Sequence, residues 1–214
     1  MTRVIAGIAG GRRLAVPSGT TTRPTSDRAR EGLFSSLQSE LGRFDGVRVL
    51  DLYAGSGAIG LEALSRGAER VLLVESDPRA AAVIKANVKA VDLPGATVAV
   101  DRVERLLARP PAGHQDQDQD HDHDQDRFDL VIADPPYAVT EEAVTRVLTL
   151  LQGGWLAADA LVVIERATRS GPLDWPPGFL PGKSRRYGEA TFWYGWNGSE
   201  AGAGQTGTAS RSEA

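Results

Sequence analysis

The chain has 214 residues, a net charge of −4 and no cysteine. This length fits one globular domain with short appendages, and the missing thiols exclude disulfide bonds, iron-sulfur clusters, zinc-thiolate sites and cysteine nucleophiles. No apolar run approaches the roughly 18 residues of a membrane span and the N-terminus lacks a signal-peptide core, so we expect a cytoplasmic monomer with no membrane partner.

The charge is unevenly distributed. Residues 113–126 hold six Asp and neither Lys nor Arg, so the rest of the chain carries a net charge of +2. We expect this low-complexity insert to be disordered, with His121 and His123 offering at most a weak metal site. Over the first 30 residues, six Arg stand against one Asp. A basic segment of this kind indicates a contact with nucleic acid.

The N-terminal residues, 1–24, predict a basic β-hairpin extension, because two short apolar runs flank a Gly-Gly pair that permits a tight turn. A helix follows, capped by Thr25 or Ser26, with apolar residues at helical spacing. Arg28 and Arg30 are expected to lie outside its apolar stripe.

From residue 47 onwards, apolar strands alternate with amphipathic helices. The strand segments are VRVLDLY, RVLLVES, TVAV, FDLVIAD and ALVVIER. This alternation predicts an α/β fold with a doubly wound, Rossmann-like, mostly parallel sheet. The alternating segment RRYGEATFWYGW is expected to close it as an antiparallel hairpin. We therefore assign residues 25–196 to one α/β domain, which the motifs described below predict to be catalytic, and 197–214, rich in Gly, Ser and Ala, to a flexible tail.

A glycine-rich loop, residues 51–57, follows the first strand of this sheet and opens a helix. Gly55, Gly57 and Gly60 spell GxGxxG, whose glycines let the backbone approach a ligand closely. Glu75 ends the next strand, where a carboxylate can accept ribose hydroxyls. This pattern fits NAD and S-adenosylmethionine equally well.

Asp51 favours S-adenosylmethionine, because a carboxylate beside the loop would attract the cationic methionine amino group and repel a pyrophosphate. Capping of the following helix is an alternative role for it. The topology of the predicted sheet indicates that Arg102 and Val103, which follow the third strand, lie near the adenine of the cofactor. The predicted cofactor site comprises Asp51, Tyr53, Ala54, Gly55, Ser56, Gly57, Glu75, Ser76, Arg102 and Val103.

The second motif is Asp134-Pro135-Pro136-Tyr137, which ends the fourth strand at the same sheet edge as the glycine loop. An exocyclic amino nitrogen of a nucleobase is a poor nucleophile, because its lone pair is delocalised into the ring. Asp134 and the Pro135 carbonyl can accept its two N–H groups, the prolines hold these acceptors rigidly, and Tyr137 can stack on the base. The structural alternative is a Pro-Pro turn with a capping Asp.

This motif predicts methyl transfer to an amino nitrogen of guanine, adenine or cytosine. Methylation of a pyrimidine ring carbon ordinarily requires a cysteine nucleophile, which the chain lacks. The motif alone does not choose among the three bases. It also fits an adenine-N6 or cytosine-N4 DNA methyltransferase, although no separate sequence-reading domain is visible, and a non-catalytic assembly factor that binds ribosomal RNA is a further alternative.

Residues 2 to about 196 resemble the bacterial 16S ribosomal RNA guanine-N2 methyltransferases of the small subunit. The resemblance is carried by RVIAGIAGGRRL, RPTSDRAREGLFSSL, VLDLYAGSGAIGLEALSRGA, FDLVIADPPY and RRYGEATFWYG. It implies a class I methyltransferase fold with a seven-stranded sheet, S-adenosylmethionine as donor and S-adenosylhomocysteine as product. It further implies a target guanine in an RNA hairpin loop, within the small subunit or an assembly intermediate. The Asp-rich insert departs from the family pattern.

An unpaired loop base can be moved into a pocket at less cost than a paired one. Tyr187 and Trp193 could stack on bases, or could pack the terminal hairpin. The predicted RNA-binding set comprises Arg3, Arg12, Arg13, Arg23, Thr25, Arg28, Arg30, Lys183, Arg185 and Arg186.

Overall fold

The computed structural model describes residues 2–17, 27–111 and 126–198. The predictions for Arg23, Thr25, Ser26, the insert before Asp126 and the tail after Gly198 lie outside these described residues. The helices are α1 (Asp27–Leu41), α2 (Ala58–Ser65), α3 (Pro78–Val91), α4 (Val103–Leu107) and α5 (Glu141–Leu151). The strands are β1 (Thr2–Arg3), β2 (Arg13–Leu14), β3 (Arg48–Leu52), β4 (Arg70–Glu75), β5 (Ala96–Val100), β6 (Phe128–Ala133), β7 (Leu156–Ala167), β8 (Phe179–Tyr187) and β9 (Ala190–Asn197).

Strands β3 to β9 form one seven-stranded sheet in the order β5-β4-β3-β6-β7-β9-β8. β3 to β7 pair in parallel, whereas β9 is antiparallel to both β7 and β8. The predicted Rossmann-like, mostly parallel sheet with its C-terminal antiparallel hairpin is confirmed. Chain order reverses between β3 and β6, so their carboxyl ends flank a crevice of the kind in which such sheets bind ligands.

The central strands are mostly apolar, as expected for a sheet that helices cover on both faces. Val49 and Ile132 belong to one buried cluster, and Leu50 and Val131 belong to the other. Alternate residues of each strand thus face opposite layers. The apolar residues from which these strands were predicted are therefore the ones that pack in the two cores.

The N-terminal hairpin is confirmed, but β1 and β2 are only two residues long, with Thr2 opposite Leu14. The chain between them bonds both to itself, through the Val4 amide and the Arg12 carbonyl at 2.9 Å, and to α2. The Glu62 carboxylate, fully buried, accepts hydrogen bonds from the amides of Ile5 at 2.5 Å and Ala6 at 3.0 Å. Gly7 is needed at this contact, since a Cβ there would lie 1.8 Å from the Ser65 carbonyl oxygen.

Within the described ranges no helix is long and apolar enough to cross a bilayer. Across the same residues, no cluster of three or more His, Cys, Asp and Glu side chains is arranged to hold a metal ion. His121 and His123 lie outside the part of the chain that the structure describes.

Candidate functional site

A cleft of about 230 Å³ opens at the carboxyl ends of β3, β4, β6 and β7. The glycine loop and the Asp134-Pro135-Pro136-Tyr137 motif, called the reaction-centre motif below, both line this cleft. The order of their strands in the sequence predicted this. The cleft does not include Gly57, Arg102 or Val103. The predicted residues that line it are Asp51, Tyr53, Ala54, Gly55, Ser56, Glu75, Ser76, Asp134, Pro135, Pro136 and Tyr137.

The glycine loop turns sharply because three of its residues have left-handed backbone, with φ of 61° at Tyr53, 58° at Gly55 and 75° at Gly57. A left-handed tyrosine is uncommon and costs conformational energy, which the packing around it must offset. Gly57 starts α2 and lies beneath the loop, where a Cβ would approach Leu73 and Ile84 to 3.1 Å. Gly57 therefore determines the conformation of the loop and lies on the side of it that packs against the core.

Asp51 is 2% exposed, and its carboxylate accepts a hydrogen bond from the Gly60 amide at 2.9 Å. Burial raises the pKa of Asp51 to about 7, and the negative charges of Asp134 and Glu75 add to this, while the Gly60 hydrogen bond opposes it. The two roles considered from sequence are thus compatible, because the same carboxylate holds the first turn of α2 and lines the cleft.

Glu75 connects the end of β4 to the loops on either side. One carboxylate oxygen accepts from the Gly55 amide at 2.9 Å, and the other accepts from the Asp77 amide at 2.8 Å. A carboxylate has about four acceptor positions, so these two bonds fix its orientation and leave capacity for ligand hydroxyl groups.

The reaction-centre motif directly follows the carboxyl end of β6, a central strand of the sheet. The Asp134 amide donates to the Leu52 carbonyl of β3 at 3.4 Å, and the Val139 amide donates to the Pro136 carbonyl at 2.8 Å. Pro135 is buried, whereas the Tyr137 side chain is 55% exposed. An aromatic ring displayed at the cleft mouth is available for stacking on a planar group.

Two buried charged residues that line the cleft were not predicted to lie there. Glu165 of β7 is 6% exposed and lines the cleft with Asp134. The signal for it was present, because Glu165 follows the buried run LVVI just as Asp51, Glu75 and Asp134 end their apolar strands.

Arg30 is the second buried charged residue that was not predicted to lie in the cleft. The prediction that Arg30 lies outside the apolar stripe of α1 is wrong, since it is 1% exposed and lines the cleft. It lies on the buried face because Leu33 and Phe34 follow it at helical spacing. Its guanidinium donates to the Arg3 carbonyl at 2.6 Å and to the Asp27 carboxylate at 3.0 Å, which offsets the cost of burying the charge.

The charge of the cleft bears on the choice of ligand that the sequence left open. Among the described residues that line the cleft, carboxylates outnumber the one cationic side chain, so a pyrophosphate would meet repulsion and a cationic ligand attraction. Apolar side chains of Val16, Pro17, Ile59 and Ala80 cover part of the wall. The acidic lining residues are Asp51, Glu75, Asp77, Asp134 and Glu165, against Arg30.

Arg102 and Val103 begin α4, a short helix that was not predicted. Arg102 is its N-cap, and Val103 is 4% exposed and packs in the core beside Leu107. The structure therefore does not bring these two residues together with the rest of the cleft, and their placement near an adenine stays a prediction.

Of the predicted RNA-binding residues that the structure describes, Arg30 is buried and the rest divide into two groups. Arg12 and Lys183 are engaged by the protein, since Arg12 donates to the carbonyls of Ala90 and Val91 at the end of α3 and Lys183 pairs with Glu40. The other side chains are exposed, and these are Arg3, Arg13, Arg28, Arg185 and Arg186.

The contacts of Tyr187 indicate that it packs the terminal hairpin and does not stack on RNA bases. Its ring lies 5.8 Å from that of Phe192, edge to face. A Cβ at Gly32 of α1 would come within 2.3 Å of the Tyr187 ring, so the tyrosine is seated against that helix. Trp193 is half-buried in β9.

Comparison with known proteins gives consistent results. The family described as conserved hypothetical protein 95 matches residues 2–196. Ribosomal RNA small subunit methyltransferase D of Escherichia coli (strain K12) is 33% identical over 179 residues, covering 81% of this chain and 80% of that protein. The Haemophilus influenzae protein of the same name is 32% identical over 165 residues, covering 76% and 77%.

Solved structures agree with these sequence matches. The Escherichia coli protein yhhF superposes with a TM-score of 0.73 at 28% identity, covering 91% of this chain and 97% of that one. The Thermus protein TTHA0928 gives a TM-score of 0.69 at 33% identity, covering 91% and 98%. The chain therefore belongs to the conserved hypothetical protein 95 family, together with the ribosomal RNA small subunit methyltransferase D proteins.

Proposed function

We propose that this protein transfers a methyl group from S-adenosylmethionine to the exocyclic N2 of a guanine in a hairpin loop of 16S ribosomal RNA. The substrate is the small subunit or one of its assembly intermediates. The observation that carries the proposal is the shared cleft, in which the glycine loop faces Asp134-Pro135-Pro136-Tyr137. The names of the relatives supply the ribosomal RNA and the small subunit. Such a substrate is found in the cytoplasm.

The residues of the glycine-loop half fit S-adenosylmethionine by charge and shape. Asp51 would meet the methionine amino group, and Glu75 would accept the ribose hydroxyls. The left-handed loop around Gly55 leaves backbone open to the ligand, since within the described part of the chain a Cβ there would have only the Tyr53 carbonyl oxygen nearby, at 3.9 Å. When bound, S-adenosylmethionine supplies an electrophilic methyl group on a cationic sulfur.

The other half of the cleft prepares the nucleophile. Asp134 and the Pro135 carbonyl accept the two amino hydrogens and so orient the nitrogen lone pair away from the ring. Pro135 is buried and both prolines have fixed φ, so these acceptors need no rearrangement during the reaction. The nitrogen becomes strongly acidic once methylated, and its surplus proton passes to Asp134 or to water. Orientation therefore contributes more than basicity.

The outer surface would hold the RNA. Tyr137 stacks on the extruded base at the cleft mouth, a contact worth about 1–3 kcal/mol in other proteins that bind single strands. The exposed arginines Arg3, Arg13, Arg28, Arg185 and Arg186 would contact phosphates around it. Because Lys183 already pairs with Glu40, we expect it to contribute least to RNA binding among the proposed residues.

The experiment that tests this function uses the purified protein and tritiated S-adenosylmethionine. Undermethylated small subunits, naked 16S ribosomal RNA and genomic DNA are offered separately, and digested nucleosides are identified by chromatography. We expect label in subunit or 16S RNA, recovered as N2-methylguanosine. Label only in DNA, as N6-methyladenine or N4-methylcytosine, would overturn the proposal. RNA binding without transfer would favour the non-catalytic assembly factor.

A further inference from the structure

Glu165 and Asp134 occupy equivalent positions on adjacent parallel strands. Ala133 of β6 pairs with Ile164 of β7, so the next residue on each chain is a carboxylate at the same level of the sheet edge. Neighbouring strands lie about 4.8 Å apart, and both side chains line the same cleft. The site therefore has two carboxylates side by side where the substrate base is expected.

Glu165 is held rigidly for a side chain at a ligand cleft. Glu165 is in register with Phe192 of β9, and its neighbour Ile164 is the last residue of β7 paired with β6, so the backbone at this position is held by the sheet. The residue is 6% exposed. Its carboxylate therefore lines the cleft from a defined position beside Asp134.

Guanine presents adjacent donors where the other amino-bearing bases do not. Its N1–H lies beside the N2 amino group, so these two neighbouring positions both offer donors. Adenine and cytosine place an unprotonated ring nitrogen, an acceptor, beside their amino groups. A second carboxylate next to Asp134 therefore complements guanine and repels the other two bases.

We propose that Glu165 is the specificity-determining residue for the base, accepting the N1–H of the target guanine while Asp134 and the Pro135 carbonyl hold its amino group. This inference rests on the proposed function and deepens it, because the Asp134-Pro135-Pro136-Tyr137 motif alone leaves guanine, adenine and cytosine open. Glu165 forms no bond to the transferred methyl group, so its contribution is discrimination between bases.

The test compares guanine with 2-aminopurine at the target nucleotide of the small-subunit substrate. 2-Aminopurine keeps the amino group at C2 but has an acceptor at N1. For the wild-type protein we expect kcat/KM to favour guanine by on the order of 100-fold, because a site that binds a donor rejects an analogue lacking it. In Glu165→Gln the amide can donate to N1, and the preference should fall to less than about 10-fold.

Glu189→Gln is the matched control, since it removes the same charge from an exposed residue near Tyr137 that is not part of this cleft. Its preference should equal that of the wild-type protein. A purely structural role for Glu165 would lower both rates together and leave the ratio unchanged, which overturns the inference. Equal wild-type rates on both bases overturn it as well, even if Glu165→Gln does not fold. Absence of wild-type transfer to guanine would instead contradict the proposed function.

Discussion

The Asp51 carboxylate accepts a hydrogen bond from the Gly60 amide at 2.9 Å while its other side faces the cleft. One buried acid thus links the start of α2 to the part of the site assigned to the cofactor. Gly60 is required at this contact, because a Cβ there would lie 2.7 Å from Val71 and 3.1 Å from Asp51. The arrangement places an ionisable group with a pKa of about 7 at the base of the cleft.

This pKa predicts how stability varies with pH. The pKa of Asp51 is raised in the fold from an unfolded value near 4, so the folded state binds the proton more tightly. Its contribution to stability is complete below about pH 4 and is lost as the pH rises through 7. We expect the free energy of unfolding, measured with urea, to decline over this range more steeply in the wild-type protein than in Asp51→Asn. Parallel profiles would contradict the raised pKa.

Asp134 tests whether the motif acts mainly by orientation. We expect Asp134→Ala to lower kcat by at least about 100-fold, because one preorganised acceptor is removed. Binding of the donor, measured by calorimetry, should persist. Asp134→Asn keeps a carbonyl acceptor and should retain more activity than the alanine variant. Turnover at the wild-type rate in Asp134→Ala would exclude the proposed mechanism.

Glu62 tests how the N-terminal hairpin is attached. Its buried carboxylate binds the amides of Ile5 and Ala6 and pairs with Arg66 at 2.8 Å. Glu62→Ala leaves these groups without their acceptor, so we expect a loss of about 3 kcal/mol in the free energy of unfolding. Amide exchange at Ile5 and Ala6 should accelerate. The exposed acid Asp45 supplies the control, and equal stability of the two alanine variants would argue against the docking role.

Arg13 tests the RNA-facing surface. It is exposed, whereas its neighbour Arg12 bonds to the end of α3. Arg13→Ala should weaken RNA binding and reduce the slope of log K against log salt by about 0.7–0.9, the value for one lost phosphate contact. Arg43→Ala removes an exposed charge that pairs with Asp45 and is not in the predicted RNA-binding set, and it should leave the slope unchanged. The same slope for Arg13→Ala and the wild-type protein would remove Arg13 from the interface.

Much of the site could be predicted from sequence because buried parallel strands are apolar and their carboxyl ends meet at one edge. This is why Asp51, Glu75 and Asp134 were predicted to share a site. Glu165 has the same sequence signal, but no motif marks it, and its relation to Asp134 depends on the pairing of β6 with β7.

Other features depend on contacts that periodicity does not report. The burial of Arg30 requires the Arg3 carbonyl, 27 residues away in sequence, as an acceptor. The hairpin strands are shorter than predicted because their connecting residues bond to Glu62 of α2. The short helix α4 directs Val103 into the core, where topology alone had suggested a ligand contact.

The most direct test of the central claim is the modification state of 16S ribosomal RNA in cells lacking this protein. The RNA is mapped by mass spectrometry after complementation with the wild-type gene or with Asp134→Ala. We predict that one guanine loses a methyl group at N2 in the deletion strain, regains it with the wild-type gene and remains unmodified with Asp134→Ala. An unchanged set of methylated nucleotides in the deletion strain would contradict the account.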